Sequence, residues 1–202
     1  MARPFEDTAL RTPENVAPLI GDPAPLGLAG FGTTTLLLSL INAQILPESL
    51  TVLVLSMALA FGGAAQLLAG MWAFRRGNTF AATAFSAYGA FWISFYLLVV
   101  VFAPGVKTGA HDIDNFVGWY LMVWGLFTAY MFIASLAGAR AVQLVLLLLT
   151  ATYVLLAIGK WATSMGITQV GGYVGLATAA AALYASFADV TNANFKRRVL
   201  PT

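Results

Sequence analysis

Residues Asp22–Asn42 read DPAPLGLAGFGTTTLLLSLIN, and this stretch decides the fold. Asp22 before Pro23 is a helix N-cap followed by proline at the first helical position, where the missing N–H costs nothing and the fixed φ helps. Pro25 still lies in the first turn. The rest is apolar enough to enter a bilayer, yet it carries Gly27, Gly30, Gly32, Thr33, Thr34, Thr35, Ser39 and Asn42. Thr35, Ser39 and Asn42 fall at i, i+4 and i+7, so they share one helix face, with Phe31 one turn before them. Two readings of that face stay open. Small and hydroxyl residues let membrane helices approach closely and hydrogen-bond; alternatively, they line a permeation path.

Composition places the whole chain in lipid. It is 60% hydrophobic and 9% charged, with a mean hydropathy of +0.84, whereas soluble domains carry about a quarter charged residues. A soluble fold so poor in charge would expose large apolar patches. The chain has no cysteine, which excludes thiol chemistry and disulfides. A net charge of +2, with no basic run before the C-terminus, gives no footing for nucleic acid.

Six apolar stretches follow a polar, proline-containing tail over residues 1–21, which reads as a flexible segment and not as a cleavable signal. The spans are Pro25–Leu46, Leu50–Phe74, Thr79–Ala103, Asn115–Ala137, Arg140–Ala162 and Gly171–Val190, each near the roughly 20 residues that cross a bilayer. The expected fold is therefore all-α: a polytopic bundle of six transmembrane helices over residues 22–193, with short connections, closed by a basic tail over 194–202. Continuous apolar runs exclude a membrane β-barrel, whose strands alternate. The side that would hold both termini carries eight Lys and Arg residues and the other side two, Lys107 and Lys160. Both termini are thus expected in the cytoplasm, with the protein in the cell membrane.

Few polar residues lie inside the spans. Gln66, in mid-helix, must face protein or a wet cavity, as interhelical glue or as a ligand contact. Thr150, Tyr153 and Tyr88 taken alone are packing residues. His111 with Asp112 and Asp114 makes a poor metal site and reads as a solvated loop, so neither metal nor cofactor is expected. Asp189 reads as pairing with Lys196, Arg197 or backbone donors, with proton coupling as the sharper alternative.

DPAPLGLAGFGTTT resembles the NPAPLGL signature of the acetate uptake transporter family, the succinate–acetate permeases of microbes. The resemblance continues, in order, through GGAAQ (Gly62–Gln66), RGNTFAATAF (Arg76–Phe85), YGAFW (Tyr88–Trp92), WGLFTAYM (Trp124–Met131), GAR (Gly138–Arg140), LLAIG (Leu155–Gly159) and VLP (Val199–Pro201). It implies a six-helix protomer around a pore and a homo-oligomer, a hexamer. It also implies transport of small carboxylates, acetate and the larger succinate. By motif, the apolar constriction corresponds to Phe31, Tyr88 and Leu149, the last placed by counting from Gly138–Arg140. Thr34, Thr35 and Gln66 match the family's polar positions. With Ser39, Asn42 and Thr150 they form the expected substrate-binding set. Two departures bear on the pore mouths. Asp22 stands where the family has asparagine and would repel an anion. Lys160 either snorkels to the interface or attracts anions at the opposite mouth.

Other functions fit less well. An enzyme would need a nucleophile–base pair or a metal cluster, yet there is no Cys, HExxH or GxSxG. A retinal protein would need a buried Schiff-base lysine. A water channel's paired NPA boxes are absent, since DPA occurs once, before the first span. The alternatives to carboxylate transport are an ammonium or other small-solute channel, or a receptor without transport activity.

Overall fold

The computed structural model describes residues 20–202, so the tail predicted over 1–21 lies almost wholly outside the described residues. Six helices are long and apolar enough to cross a membrane: α1 (Ala24–Asn42), α2 (Glu48–Arg75), α3 (Thr79–Gly105), α4 (Ala110–Ser135), α5 (Arg140–Trp161) and α6 (Met165–Phe195). No strand occurs among the described residues. The all-α polytopic reading holds.

Helix ends depart from hydropathy where a polar turn continues the helix or a left-handed residue stops it. α1 ends at Asn42, not Leu46. Gln44 turns left-handed (φ 60°), and the N–H groups of Ile45 and Leu46 return to the Leu40 carbonyl, closing the end without a glycine. α6 begins six residues earlier than Gly171. Thr163 is left-handed (φ 49°), and the Ser164 hydroxyl accepts the Ile167 N–H at 3.4 Å. It then continues to Phe195, and its 31 residues, about 46 Å long, outreach a hydrocarbon core of about 30 Å. α4 likewise starts at Ala110, so His111, Asp112 and Asp114 lie on a helix and not in the expected loop. The Thr108 hydroxyl donates to the Asp112 carboxylate at this start.

Contacts run in a ring: α3 against α2, α2 against α1, α1 against α6, α6 against α5 and α5 against α4. Two close approaches need glycine. A Cβ at Gly30 would lie 2.6 Å from the Phe61 carbonyl oxygen, where α1 meets α2. One at Gly172 would run into the Ala43 backbone N–H, where α6 meets α1. The ring closes differently between α3 and α4, where aromatic side chains fill the gap. Phe91 stands with its ring centroid 5.8 Å from Tyr120, 5.2 Å from Trp124 and 5.4 Å from Tyr153. Trp124 thus packs in the interior. Trp119 and Trp161 meet near the opposite end at 4.8 Å.

The chain also ends in a fold-back. Lys196 turns left-handed (φ 51°), and the Asn192 side chain accepts the N–H groups of Val199 (2.6 Å) and Leu200 (2.9 Å). Asn192 also donates to the Leu200 carbonyl at 2.9 Å, and the Tyr184 hydroxyl donates to Pro201 at 2.9 Å. The basic residues Lys196, Arg197 and Arg198 are therefore carried on a turn tied to α6.

Candidate functional site

The inward faces enclose a cavity of about 410 Å³ to which all six helices contribute. Its lining follows helical stripes: Ala24, Leu28 and Phe31 on α1; Ala81, Ala84, Phe85 and Tyr88 on α3; Val142, Val145, Leu146 and Leu149 on α5. Asn78, Gly138, Ala139 and Asp189 surround the end at which α1, α3 and α5 begin. The Arg76 guanidinium donates to the Ile20 carbonyl at 2.5 Å and ties the start of α1 to the end of α2 on that side.

The innermost lining residues on α1, α2, α3 and α5 are Phe31, Gln66, Tyr88 and Leu149. Each lies seven to nine residues from the same end of its helix, about 10–14 Å deep. Four elements remote in sequence thus converge at one level. The Phe31 and Tyr88 ring centroids are 5.7 Å apart, and Phe127 meets Tyr88 edge-on at 5.5 Å. The Tyr88 hydroxyl donates to Thr128 at 3.0 Å, and Thr128 donates to the Trp124 carbonyl at 2.7 Å. This chain of bonds fixes the phenol's direction.

Gln66 follows directly on a π-helical run, Ala58–Ala65, made possible by Gly62 and Gly63. A Cβ at Gly63 would lie 2.6 Å from the Ala58 carbonyl oxygen. Wide turns of this kind recur at functional sites, because they re-aim the residues that follow. Gln66 is 1% exposed, and its Oε1 has no hydrogen-bond partner among the described residues. A buried amide oxygen without a partner costs free energy unless something else occupies the site.

The other sequence-predicted residues lie apart from this lining. The Thr34 hydroxyl donates to the Gly30 carbonyl at 2.9 Å and packs against Gly62. Ser39 packs against Gly175 of α6, and Asn42 is half-buried at the end of α1. Thr150 donates to the Leu146 carbonyl at 2.7 Å. Thr35 is buried and unpartnered, one turn beyond Phe31. Asp22 accepts the Ala24 N–H at 3.0 Å and lines a separate, open depression with Asp189. Lys160 forms an ion pair with Asp114 at 2.8 Å, both side chains 35% exposed. The neutral pair weakens the attraction an isolated lysine would exert on anions.

Asp189 corrects the reading from sequence. Among the described residues the one ion pair is Lys160–Asp114, so Asp189 does not pair with Lys196 or Arg197. It is the charged side chain that lines the cavity. Its spacing relative to the tail cations could not show this, because the α6 end positions it. Thr128 was also missed: nothing in WGLFTAYM marks one hydroxyl as the partner of a tyrosine 40 residues away.

Residues 9–201 match the GPR1/FUN34/yaaH family. The chain belongs to this family. It is 43% identical over 184 residues to the succinate-acetate/proton symporter SatP of Escherichia coli K12, covering 90% of this chain and 95% of that protein. It is 35% identical over 193 residues to acetate permease A of Emericella nidulans, covering 89% of this chain and 65% of the permease. A solved structure of the bacterial acetate channel SatP superposes with a TM-score of 0.83 at 40% identity, over 90% of this chain and 98% of that one. These relatives carry the names of transporters and channels, not enzymes.

Proposed function

We propose that this protein moves small carboxylates, acetate and the larger succinate, through a path inside each protomer. One observation carries the reading: Phe31, Tyr88, Leu149 and Gln66 terminate the same cavity at one depth. An apolar ring of this kind gates by dewetting and selects by size, while the side-chain NH2 of Gln66, a donor, offers the polar contact an ionised carboxylate needs; the unpartnered Oε1, an acceptor, takes a hydrogen bond only from a protonated acid. The names of the family members supply the substrate class. Thr34 takes part by setting the α1–α2 approach, and Ser39, Asn42 and Thr150 by shaping the flanking contacts. Asp22, on the rim depression, is a candidate pore-mouth charge, and the Lys160–Asp114 pair lies toward the opposite mouth.

In this reading both termini face the cytoplasm, since the side of the cavity mouth holds the excess of Lys and Arg. The membrane is the cell membrane, and the working form is a homo-oligomer, a hexamer. Outward-facing apolar side chains such as Trp72, Phe74 and Leu126, each more than half exposed in the protomer, are available to lipid or to neighbouring copies.

The test is uptake of radiolabelled acetate into proteoliposomes, with and without an imposed proton gradient. Uptake above that of protein-free vesicles, lowered by Gln66→Leu, is expected. Uptake no faster than protein-free vesicles would overturn the assignment.

A further inference from the structure

The C-terminal turn stands beyond the apolar thickness of the bundle. α1 has 19 residues and is about 28 Å long, close to a hydrocarbon core of about 30 Å. The Ser186 hydroxyl donates to the Pro25 carbonyl at 2.7 Å, which sets Ser186 of α6 level with the start of α1. From there α6 continues to Phe195 and protrudes about 13 Å past that level. The headgroup layer on each face of a bilayer is about 5–7 Å thick. Lys196, Arg197 and Arg198 follow on the turn, and the chain then comes back. Asn192 binds Val199 and Leu200, and Tyr184 binds the Pro201 carbonyl. The cations thus stand at the outer edge of the headgroup layer, toward which long Lys and Arg side chains lay their stems.

Three observations separate this turn from a solvated charged tail. Lys196, Arg197 and Arg198 are exposed, and none of them forms an ion pair among the described residues. The turn is also held in place. The Lys196 and Arg197 N–H groups return to the Ala193 and Asn192 carbonyls at 3.3 and 3.2 Å, and the Asn192 side chain adds three bonds of 2.6–2.9 Å. A segment already ordered spares a ligand most of the entropy cost of ordering it. Thirdly, outward-facing apolar side chains flank the cations, with Phe195 59% and Val199 44% exposed. Phe187 and Tyr184, also exposed, continue the Phe195 stripe down α6 toward the hydrocarbon level. Cations above and aromatic rings below match a phospholipid, phosphate above and acyl chains below.

We propose that the Lys196–Arg198 turn is a docking site for the headgroups of anionic phospholipids, with Phe195, Phe187 and Tyr184 lying along the acyl chains below it. The two guanidinium groups offer parallel N–H donors to phosphate oxygens, and the lysine adds a point charge. The attraction of an acidic bilayer surface fades within about 8 Å at physiological salt, so a turn tied close to the surface is drawn to it where a free tail is not. The site does not depend on carboxylate transport. Only the leaflet, the cytoplasmic one, follows from the orientation assigned above. Binding pins the end of α6, the helix that carries Asp189 in the cavity lining, at a fixed height in the bilayer.

The chain has no cysteine, so Thr202→Cys places a single fluorophore beside the turn. The full-length protein is reconstituted in phosphatidylcholine vesicles holding a trace of acceptor-labelled phosphatidylglycerol or, in parallel, acceptor-labelled phosphatidylcholine. Energy transfer to phosphatidylglycerol is expected to exceed that to phosphatidylcholine at equal mole fraction. Each of Lys196→Gln, Arg197→Gln and Arg198→Gln should weaken association with phosphatidylglycerol about fivefold. Asn192→Ala keeps the three charges but releases the turn, and should weaken it too. Equal transfer to the two lipids, or a preference unchanged by the triple Gln variant or by Asn192→Ala, overturns the site. Acetate uptake in pure phosphatidylcholine vesicles should be the same for the triple variant and wild type. A lower uptake there would assign the cations to substrate attraction and overturn the lipid site. Energy transfer needs no transport, so a wild type without uptake overturns the carboxylate reading and not this site.

Discussion

Removing Thr128 should harm the protein more than removing the hydroxyl it holds. The Tyr88 hydroxyl donates to Thr128 Oγ1 at 3.0 Å, and Thr128 donates onward to the Trp124 carbonyl at 2.7 Å. Tyr88 is 3% exposed and Thr128 fully buried. In Tyr88→Phe the hydroxyl disappears and Thr128 still donates to Trp124, so no donor is stranded. The loss is that of one polar contact inside a membrane protein, about 0.6 kcal/mol. Thr128→Val keeps the shape but leaves the Tyr88 hydroxyl buried without its acceptor, which adds a desolvation penalty of about 1–3 kcal/mol. Thr128→Val should therefore lie about 1–3 kcal/mol below Tyr88→Phe, roughly 5- to 150-fold in the ratio of folded to unfolded protein. The double variant, with no hydroxyl to strand, should recover most of that difference. Reversible unfolding in mixed micelles measures the four stabilities, and acetate uptake reports the ring. Tyr88→Phe should leave uptake unchanged, because the ring keeps its size. The reasoning is refuted if Thr128→Val is no less stable than Tyr88→Phe, or if the double variant is the least stable of the set.

Leu149→Ala opens the ring on the α5 side and should raise the succinate-to-acetate uptake ratio, at a stability cost of about 2 kcal/mol; an unchanged ratio in a properly inserted variant counts against Leu149 as a size filter. Asp22→Asn keeps the bond to the Ala24 N–H while removing a charge that, about 10 Å from a passing anion, is worth about 0.4 kcal/mol in bulk-like water, so flux from the cavity side in oriented vesicles should rise at low salt. Asp22→Ala loses the bond to the Ala24 N–H as well, about 1 kcal/mol of helix stability; equal flux in Asn and wild type at low salt would leave Asp22 with that structural bond alone. Asp114→Asn breaks the pair with Lys160 and should cost no more than about 1 kcal/mol, because both side chains are 35% exposed; a larger loss in unfolding experiments would mean that the pair is shielded from water. Reporter fusions after Gly77 and after Gly138 should read cytoplasmic and one in the α3–α4 connection extracellular; the reverse pattern would overturn the assigned orientation.

What the chain reveals before folding is what depends on local composition. The bilayer is selected by charge content and the number of spans by apolar runs, because these are properties of a residue and its near neighbours. The start of α1 lies one residue later than the sequence suggests, since Pro23 and not Asp22 holds the N-cap position, while Asp22 still accepts the Ala24 N–H. Helix ends were less legible. Hydropathy marks the part of a helix that lipid must cover, and α4 and α6 run on into water under polar residues that it scores as loop. The left-handed stops at Gln44, Thr163 and Lys196 carry no glycine to announce them. For the site, Phe31, Tyr88, Leu149 and Gln66 were legible through motifs, yet their meeting at one depth is a consequence of four helices packed with a common register. Asp189 in the cavity lining, Thr128 behind Tyr88, Lys160 neutralised by Asp114 and the unpartnered hydroxyl of Thr35 were decided only by the tertiary structure. In sequence a threonine is one hydroxyl among many. Whether it bonds its own helix, braces a neighbour or stays unpartnered depends on which atoms long-range packing brings within about 3 Å of it.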